Sequence, residues 1–512
     1  MINKFLISQI MSEKMRNNQH ISLNFSFLNN TSLRIFVICF IIYNSYPVNT
    51  ILSQDRQSHK NDNTNIHQKD FEYLDSLKPV ISDVIISGNK VTDDEIILRE
   101  MQLSKDKIFN SELCKEDELR INNLGIFVRT EILPVLQSDN KVLLKIKVQE
   151  KWYIYPMPSA GFVDGDIRKL WVGASVRWQN FRGRNENVML NFGVGYNPFV
   201  HASYSIPWIG EKLHLFSTLS GGYSKDRNRS QLALGRANGS RVFNYRNFND
   251  NNFDYYNYVT KLTVGKYFSR NFSIYTEIGY MLSQVTSYDI GRTVSPDGVD
   301  KYLLTGVGLN YDSRNNREFT TKGFQLHLDY EHFGLINDIV DFGRLNFSQN
   351  SFFPVKIKND YSFILSTKLN TSIAFGPNIP FYNHKFIGYG GDVIRGWNWF
   401  GFEGDNSFVL INEIKFPIIS PNFLEGNQIP VIKKIKYLSN YSYKYGLYFT
   451  MFYDLGTVWN GGDGFQNMKF LNGTGIGLNA ILPFGMTGKF EWGFRLGSPT
   501  VGQIIFSFGG RL

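Results

Sequence analysis

Residues Lys489–Leu496 read Lys-Phe-Glu-Trp-Gly-Phe-Arg-Leu, and their alternation decides the fold. Side chains switch face at every residue of an extended chain, so Phe490, Trp492, Phe494 and Leu496 fall on one side. Lys489, Glu491, Gly493 and Arg495 fall on the other. The pattern recurs upstream. In Phe324–Glu331 the even positions are Phe, Leu, Leu and Tyr, while the odd ones are Gln, His, Asp and Glu. In Gly446–Gly456 the odd positions Leu447, Phe449, Met451, Tyr453 and Leu455 are apolar. Such strands need two different solvents. A soluble sandwich buries the apolar face against a second sheet, whereas a membrane barrel turns it to lipid and leaves no exposed edge. Charge persists on the second face from Tyr153 to Leu512, which favours the barrel. The length of this region accommodates fourteen, sixteen or eighteen tilted strands of ~10 residues.

Composition agrees. The 512 residues are 15% aromatic and only 19% charged, with 45 glycines, which suits half-apolar strands and excludes a disordered chain. No apolar run is long enough for a membrane-spanning helix. Two cysteines, Cys39 and Cys114, exclude a disulfide scaffold. The net charge is +9, of which Lys4, Lys14, Arg16 and Arg34 against Glu13 place three in the first fifty residues. The remaining six are dispersed, so nucleic acid is not an expected partner.

The apolar run Ile35–Tyr43 follows these basic residues and has the length of a secretory signal core, so residues 1–49 are read as a signal peptide and its leading region. Met11 and Met15 are alternative starts, and cleavage would remove Cys39. Residues 50–78, rich in Asn, Asp, Gln, Ser and Lys, read as a disordered linker. Residues 79–151 change texture. Val80–Ser87 predicts a strand ending at the turn Gly88-Asn89. Thr92 is placed as the N-cap of a helix over Asp93–Met101, and a second helix runs over Ser111–Leu124 to Gly125. Strands over Phe127–Gln137 and Lys141–Gln149 follow. This β-α-α-β-β order, with Ile86-Ser87-Gly88-Asn89 and Leu124-Gly125-Ile126-Phe127, resembles a polypeptide-transport-associated (POTRA) domain.

A non-alternating stretch carries Gly390-Gly391-Asp392-Val393-Ile394-Arg395-Gly396-Trp397. Downstream lie Asn412-Glu413-Ile414-Lys415 and Phe452-Tyr453-Asp454-Leu455-Gly456. With Asn180-Phe181-Arg182-Gly183, Tyr311-Asp312-Ser313-Arg314-Asn315 and the ending Phe506-Ser507-Phe508-Gly509-Gly510-Arg511-Leu512, these motifs resemble the BamA-type outer-membrane assembly-factor superfamily, in a single-POTRA subgroup. The resemblance implies a sixteen-stranded antiparallel transmembrane β-barrel over residues 152–512, with the motif loop folded into the lumen. It also implies a site in the bacterial outer membrane and a periplasmic POTRA domain. Partners implied are unfolded outer-membrane or secreted polypeptides, outer-membrane lipids and accessory lipoproteins, with no cofactor.

Parity adds to this. Asp454 shares a face with Tyr448, Thr450 and Phe452, opposite the aliphatic row, and Glu413 shares one with Lys415. Two inward carboxylates need a cation, and Arg395, flanked by Gly396 and followed by Trp397, is the candidate for a lock that also involves Ile394 and Gly456. A second expectation is a weak seam between Tyr153–Phe162 and Val501–Phe508. Pro156 and Pro158 lack donors on one edge, unless both lie in the linker ahead of the first strand. At the other side, past Phe506 and Phe508, Gly509-Gly510 would kink the chain out of the ladder. Catalysis is not expected. There is no Gly-x-Ser-x-Gly elbow, phosphate loop or His-Glu-x-x-His, and His327, Asp329 and Glu331 read as a lumenal polar ladder. The function expected is insertion or translocation of polypeptides through a weak seam; a secretion pore for one partner and a diffusion channel are the alternatives.

Overall fold

The computed structural model describes residues 71–510 except 163–168, 211–212, 229, 231–232, 234–241, 245–252, 318, 335–338, 359–360, 377–378, 389–392, 398–399, 431, 435–438, 440–441, 464–465, 467, 483–485 and 497. The expected signal region and Gly390-Gly391-Asp392 lie outside the described residues. Residues 71–77, assigned above to the linker, are helical. Phe71 and Leu74, one turn apart on this helix, bring it onto the core of the first module, where Leu74 is buried.

That module contains β1 (Val80–Ser87), α1 (Asp94–Leu98), α2 (Ser111–Asn123), β2 (Phe127–Leu136) and β3 (Lys141–Glu150). The sheet order is β1-β3-β2, with β1 parallel and β2 antiparallel to β3; the outer edge of β1 is covered at its start, where Pro79 and Ile81 share backbone hydrogen bonds with Asp106, Lys107 and Phe109, and the Ile132 amide of β2 donates to Glu118 (3.2 Å). Ile81, Ile97, Ile121, Leu144 and Ile146 close the core. The first helix is shorter than expected and begins after Asp93. Thr92 is diverted from capping: its hydroxyl donates to Glu150 (2.7 Å) and receives the Asn180 amide (2.8 Å). Asp117, fully buried, accepts the Gln102 and Leu103 amides (both 2.9 Å) and the Arg120 guanidinium (3.0 Å). A buried carboxylate is tolerable only with such partners.

The larger sheet begins with β4 (Ile154–Phe162), β5 (Leu170–Phe181), β6 (Glu186–Gly195), β7 (Phe199–Ile209) and β8 (Leu215–Arg227). After the short β9 (Val242–Asn244) come β10 (Asp254–Tyr267), β11 (Phe272–Val285), β12 (Val299–Asp312), β13 (Gly323–Phe333), β14 (Phe342–Lys358) and β15 (Tyr361–Phe375). The loop after β15 holds β16 (Lys385–Gly388) and β17 (Phe400–Gly404), and the sheet ends with β18 (Asn406–Glu425), β19 (Ser442–Trp459), β20 (Leu471–Ile481), β21 (Met486–Arg495) and β22 (Ser498–Gly510). Sixteen strands pair with their neighbours throughout, all antiparallel, from β4 to β22; β16, β17 and β9 form a separate small sheet.

Burial along these strands is inverted relative to a soluble protein. Phe490 and Trp492 are about half exposed (51% and 47%), while Glu491 between them is 4% exposed. Met451 and Tyr453 are exposed, and Thr450 and Asp454 are fully buried. Water would penalise an apolar row of this kind, and lipid rewards it.

β4 and β22 form the two ends of the sheet, and no ladder joins them among the described residues. Pro156 and Pro158 belong to β4, opposite Val176 and Ala174. The Gln179 amide donates to the Tyr153 carbonyl (2.7 Å), which fixes the alternation: residues 153, 155, 157 and 159 face β5. The missing donors of Pro156 and Pro158 therefore fall on the free edge. Gly509 and Gly510 do not leave the ladder as expected; they pair with Thr487 and Met486, since glycine tolerates extended backbone when a partner strand supplies bonds.

The module meets the sheet at the turn between β5 and β6. The Asp93 amide donates to the Gly183 carbonyl (3.0 Å), and a Cβ at Gly183, whose φ is +73°, would lie 2.1 Å from the Val91 oxygen. Burial, helped by Glu118 and Asp117, pushes the Cys114 thiol up to about 12, so it holds its proton at physiological pH. Cys114 should accordingly resist iodoacetamide at pH 8 in the folded chain and react after denaturation, as read by peptide mass mapping. Equal labelling in both states would contradict the buried core.

Candidate functional site

The loop between β15 and β18 lies against the polar face of the sheet. Its apolar anchor is Ile394, fully buried with Ile387, Phe402, Val409, Val458 and Leu471. Next to it, Arg395 is 6% exposed and spends every nitrogen on carboxylates. Its backbone amide and Nε donate to Asp454 Oδ2 (3.0 and 2.7 Å), and Nη2 donates to Asp454 Oδ1 (2.6 Å). Nη1 reaches both Glu413 (2.8 Å) and Glu491 (2.7 Å). The guanidinium also lies 3.6 Å over the Phe452 ring. Lys415 balances the remaining oxygen of Glu413 at 3.0 Å. Three strands, β18, β19 and β21, thus converge on one side chain, and only a planar fork of donors can serve all three acids.

The intervening strand makes room by presenting only glycines, Gly473, Gly475 and Gly477, on that stretch of its polar face. A Cβ at Gly473 of β20 would lie 1.9 Å from the Arg395 carbonyl oxygen, and one at Gly456 of β19 would lie 2.8 Å from Ile394. Gly396 adopts φ +95° against the Phe494 backbone, a conformation that favours glycine. Trp397 donates its indole N–H to the Asn472 carbonyl (2.8 Å), and Arg495 donates to the Gly396 carbonyl (2.9 Å) while stacking 4.9 Å over Trp397. The loop is held from the opposite side as well. Arg344 of β14, 2% exposed, donates to the carbonyls of Asn383 (2.8 Å) and Asp405 (3.0 Å).

The structure brings together Ile394, Arg395, Gly396, Trp397, Glu413, Asp454 and Gly456. Pro156, Pro158, Phe506, Phe508, Gly509 and Gly510 lie apart from them, in the two end strands. Glu491, Gly473 and Arg344 were not singled out from the sequence. Glu491 stood on the charged face of its strand, and that parity was the available signal. His327, Asp329 and Glu331 lie on the polar face, where His327 Nε2 sits 2.8 Å from Asp329 and Asn346 bridges Asp329 and Glu331. Among the described residues no group of His, Cys, Asp and Glu is arranged to hold a metal ion.

Comparison with known proteins places this chain in a family. The chain belongs to the Omp85 superfamily, whose domain matches residues 180–511; POTRA, the surface antigen variable number repeat, matches residues 79–151. It is an outer-membrane protein with its POTRA module in the periplasm. The outer membrane protein assembly factor BamA of Nitratidesulfovibrio vulgaris is 34% identical over 76 residues, which are 14% of this chain and 10% of that protein. CdiB from Escherichia coli superposes with a TM-score of 0.54 at 12% identity, covering 84% of this chain and 75% of that one. CdiB from Acinetobacter baumannii gives 0.51 at 15%, covering 84% and 73%. These two likenesses are of fold.

Removing the guanidinium strands three buried carboxylates, a loss of ~3–5 kcal/mol for a buried pair of this type. Arg395→Ala should therefore expose residues 376–405 to hydrogen exchange while leaving the POTRA module protected. Arg395→Lys should fail to restore protection, because one ammonium cannot reproduce the fork. Gly473→Val should produce the same loop-specific exposure through collision alone. Unchanged exchange in Arg395→Ala would show that the apolar anchor suffices.

Proposed function

We propose that this chain moves polypeptides into or across the outer membrane through a seam between β4 and β22. The observation that carries this reading is the free edge of β4. Its neighbour in a closed barrel is β22, yet the edge offers carbonyls without donors at Pro156 and Pro158. A backbone hydrogen bond contributes only about 1 kcal/mol net, so a ladder missing two of them is easily parted. In lipid the uncovered carbonyls need a partner, and an extended client segment can supply one. The stretch of β1 beyond Ile81, whose outer edge no ladder covers among the described residues, suits capture of the same kind of segment before it reaches the seam. Charges and loop contacts filling the polar face speak against an open diffusion channel. The names of the relatives, an assembly factor and CdiB, are compatible with insertion and with secretion of a dedicated partner.

Cysteine pairs drawn from Ser159 of β4 and Gln503 or Ser507 of β22 test the seam. Oxidation should arrest client insertion, and reduction should restore it. Full activity with the strands covalently joined would reject opening at this position. Depletion followed by outer-membrane proteomics separates the two transport roles: broad loss of barrels indicates assembly, and loss of one protein indicates dedicated secretion.

A further inference from the structure

Between the POTRA module and the periplasmic rim of the sheet lies a cavity of about 570 Å³. Five guanidiniums line it, those of Arg99, Arg120, Arg270, Arg314 and Arg317, against the two carboxylates of Glu100 and Asp312. They are not equally engaged. Arg314 is committed to Asp312 through two bonds of 2.8 and 2.7 Å, and Arg120 to Glu116 and Asp117 at 2.8 and 3.0 Å. The other three have donors to spare. Arg99 approaches Glu100 only at 3.5 Å, and its buried Nε makes no hydrogen bond. Arg270 makes one long bond, 3.4 Å, to the Met101 carbonyl. Arg317 is half exposed and shares Asp312 with Arg314 at 3.3 Å. Gathering like charges in a partly buried space is unfavourable unless an anion joins them.

The rim around the cavity carries aromatic and cationic side chains of the kind that membrane interfaces favour. Trp208, beneath Arg99 at 5.3 Å, lines one wall. Phe268, 60% exposed, lines the mouth and continues the outward apolar row of Tyr258, Leu262 and Val264 along β10. Lys266 adds a cation 5.6 Å from the Phe268 ring. An anion seated among the arginines is therefore adjacent to a surface that takes acyl chains.

We propose that this cavity binds the phosphate of an anionic phospholipid headgroup from the periplasmic leaflet, its acyl chains lying on the outward face of β10. Guanidiniums match phosphate oxygens in pairs, and Arg99, Arg270 and Arg317 are the donors placed to supply them. The site joins two modules, three guanidinium-bearing segments of which come from the module and the rim alike, so a bound headgroup links them. The proposal is independent of the transport reading, because binding is measured without a client.

The test is calorimetric titration of the full chain in neutral detergent with dihexanoylphosphatidylglycerol, dihexanoylphosphatidylcholine and sodium phosphate. Phosphatidylglycerol should bind saturably, with phosphatidylcholine weaker and inorganic phosphate a weak competitor. Arg270→Ala combined with Arg317→Ala should weaken phosphatidylglycerol about tenfold or more, as expected for losing charge-assisted bonds. Heat-dependent migration on gels reports whether the variant is folded; if it is not, Arg317→Gln, altered at a half-exposed side chain, replaces it with the same expected direction. Absence of saturable phosphatidylglycerol binding, or binding unchanged in the folded variant, overturns the site. Inorganic phosphate binding as tightly as the lipid overturns the lipid as its source.

Discussion

One guanidinium organises the polar face of this sheet. Arg395 arrives on a loop, yet the acids that hold it come from β18, β19 and β21, so strands distant in sequence depend on one residue from outside their ladders. The arrangement is demanding on both sides. Unpaired, three buried carboxylates would repel one another and lose their hydration; unpaired, a buried arginine would be as costly. Together they are tolerable, and the geometry that makes them so excludes side chains along the loop's path. The glycines at 456, 473 and 493 are the imprint of that loop on the strands. Ile394 fills the adjacent apolar hollow and Trp397 caps the turn, so the position of Arg395 is determined by packing as well as by charge.

The other constraint is the inversion of faces. A buried polar face can hold ion pairs only where a low supply of water is matched by hydrogen bonds, and the polar face here is laced with them: Ser366 and Lys415 on Glu413, Asn346 on Asp329 and Glu331, Arg344 on loop carbonyls. The apolar exterior needs no such matching. A substitution on the outside changes transfer energy alone, while one on the inside removes a partner from a network and leaves its neighbours unsatisfied.

Much of this was legible in the sequence because strand parity is strict. Alternation placed Asp454 and Glu413 inward, and the glycine-flanked Arg395 was the cation available to them. What parity does not encode is distance across the sheet. Glu491 was assigned to the correct face, but that the loop would reach two strands beyond Asp454 depends on β20 lacking side chains there, and the significance of Gly473 emerges only with the loop in place. Local signals misled where tertiary partners override them. Thr92 has the chemistry of a helix cap but is drawn to Glu150 and Asn180. The polar composition of residues 50–78 concealed the helical 71–77, whose few apolar side chains find a core only after the module has folded. Gly509 and Gly510 resemble a kink until β21 provides a ladder.

The junction between the two modules has a mechanical meaning. β3 ends at Glu150 and β4 begins at Ile154, and the Tyr153 hydroxyl in that short link contacts the Thr92 hydroxyl at 3.0 Å. Glu150, Thr92 and Asn180 tie the same point to the turn after β5. The POTRA module is consequently a lever whose fulcrum is the root of the strand with the free edge. Rotation of the module cannot be absorbed by slack chain; it would load β4 and the turn between β5 and β6 together.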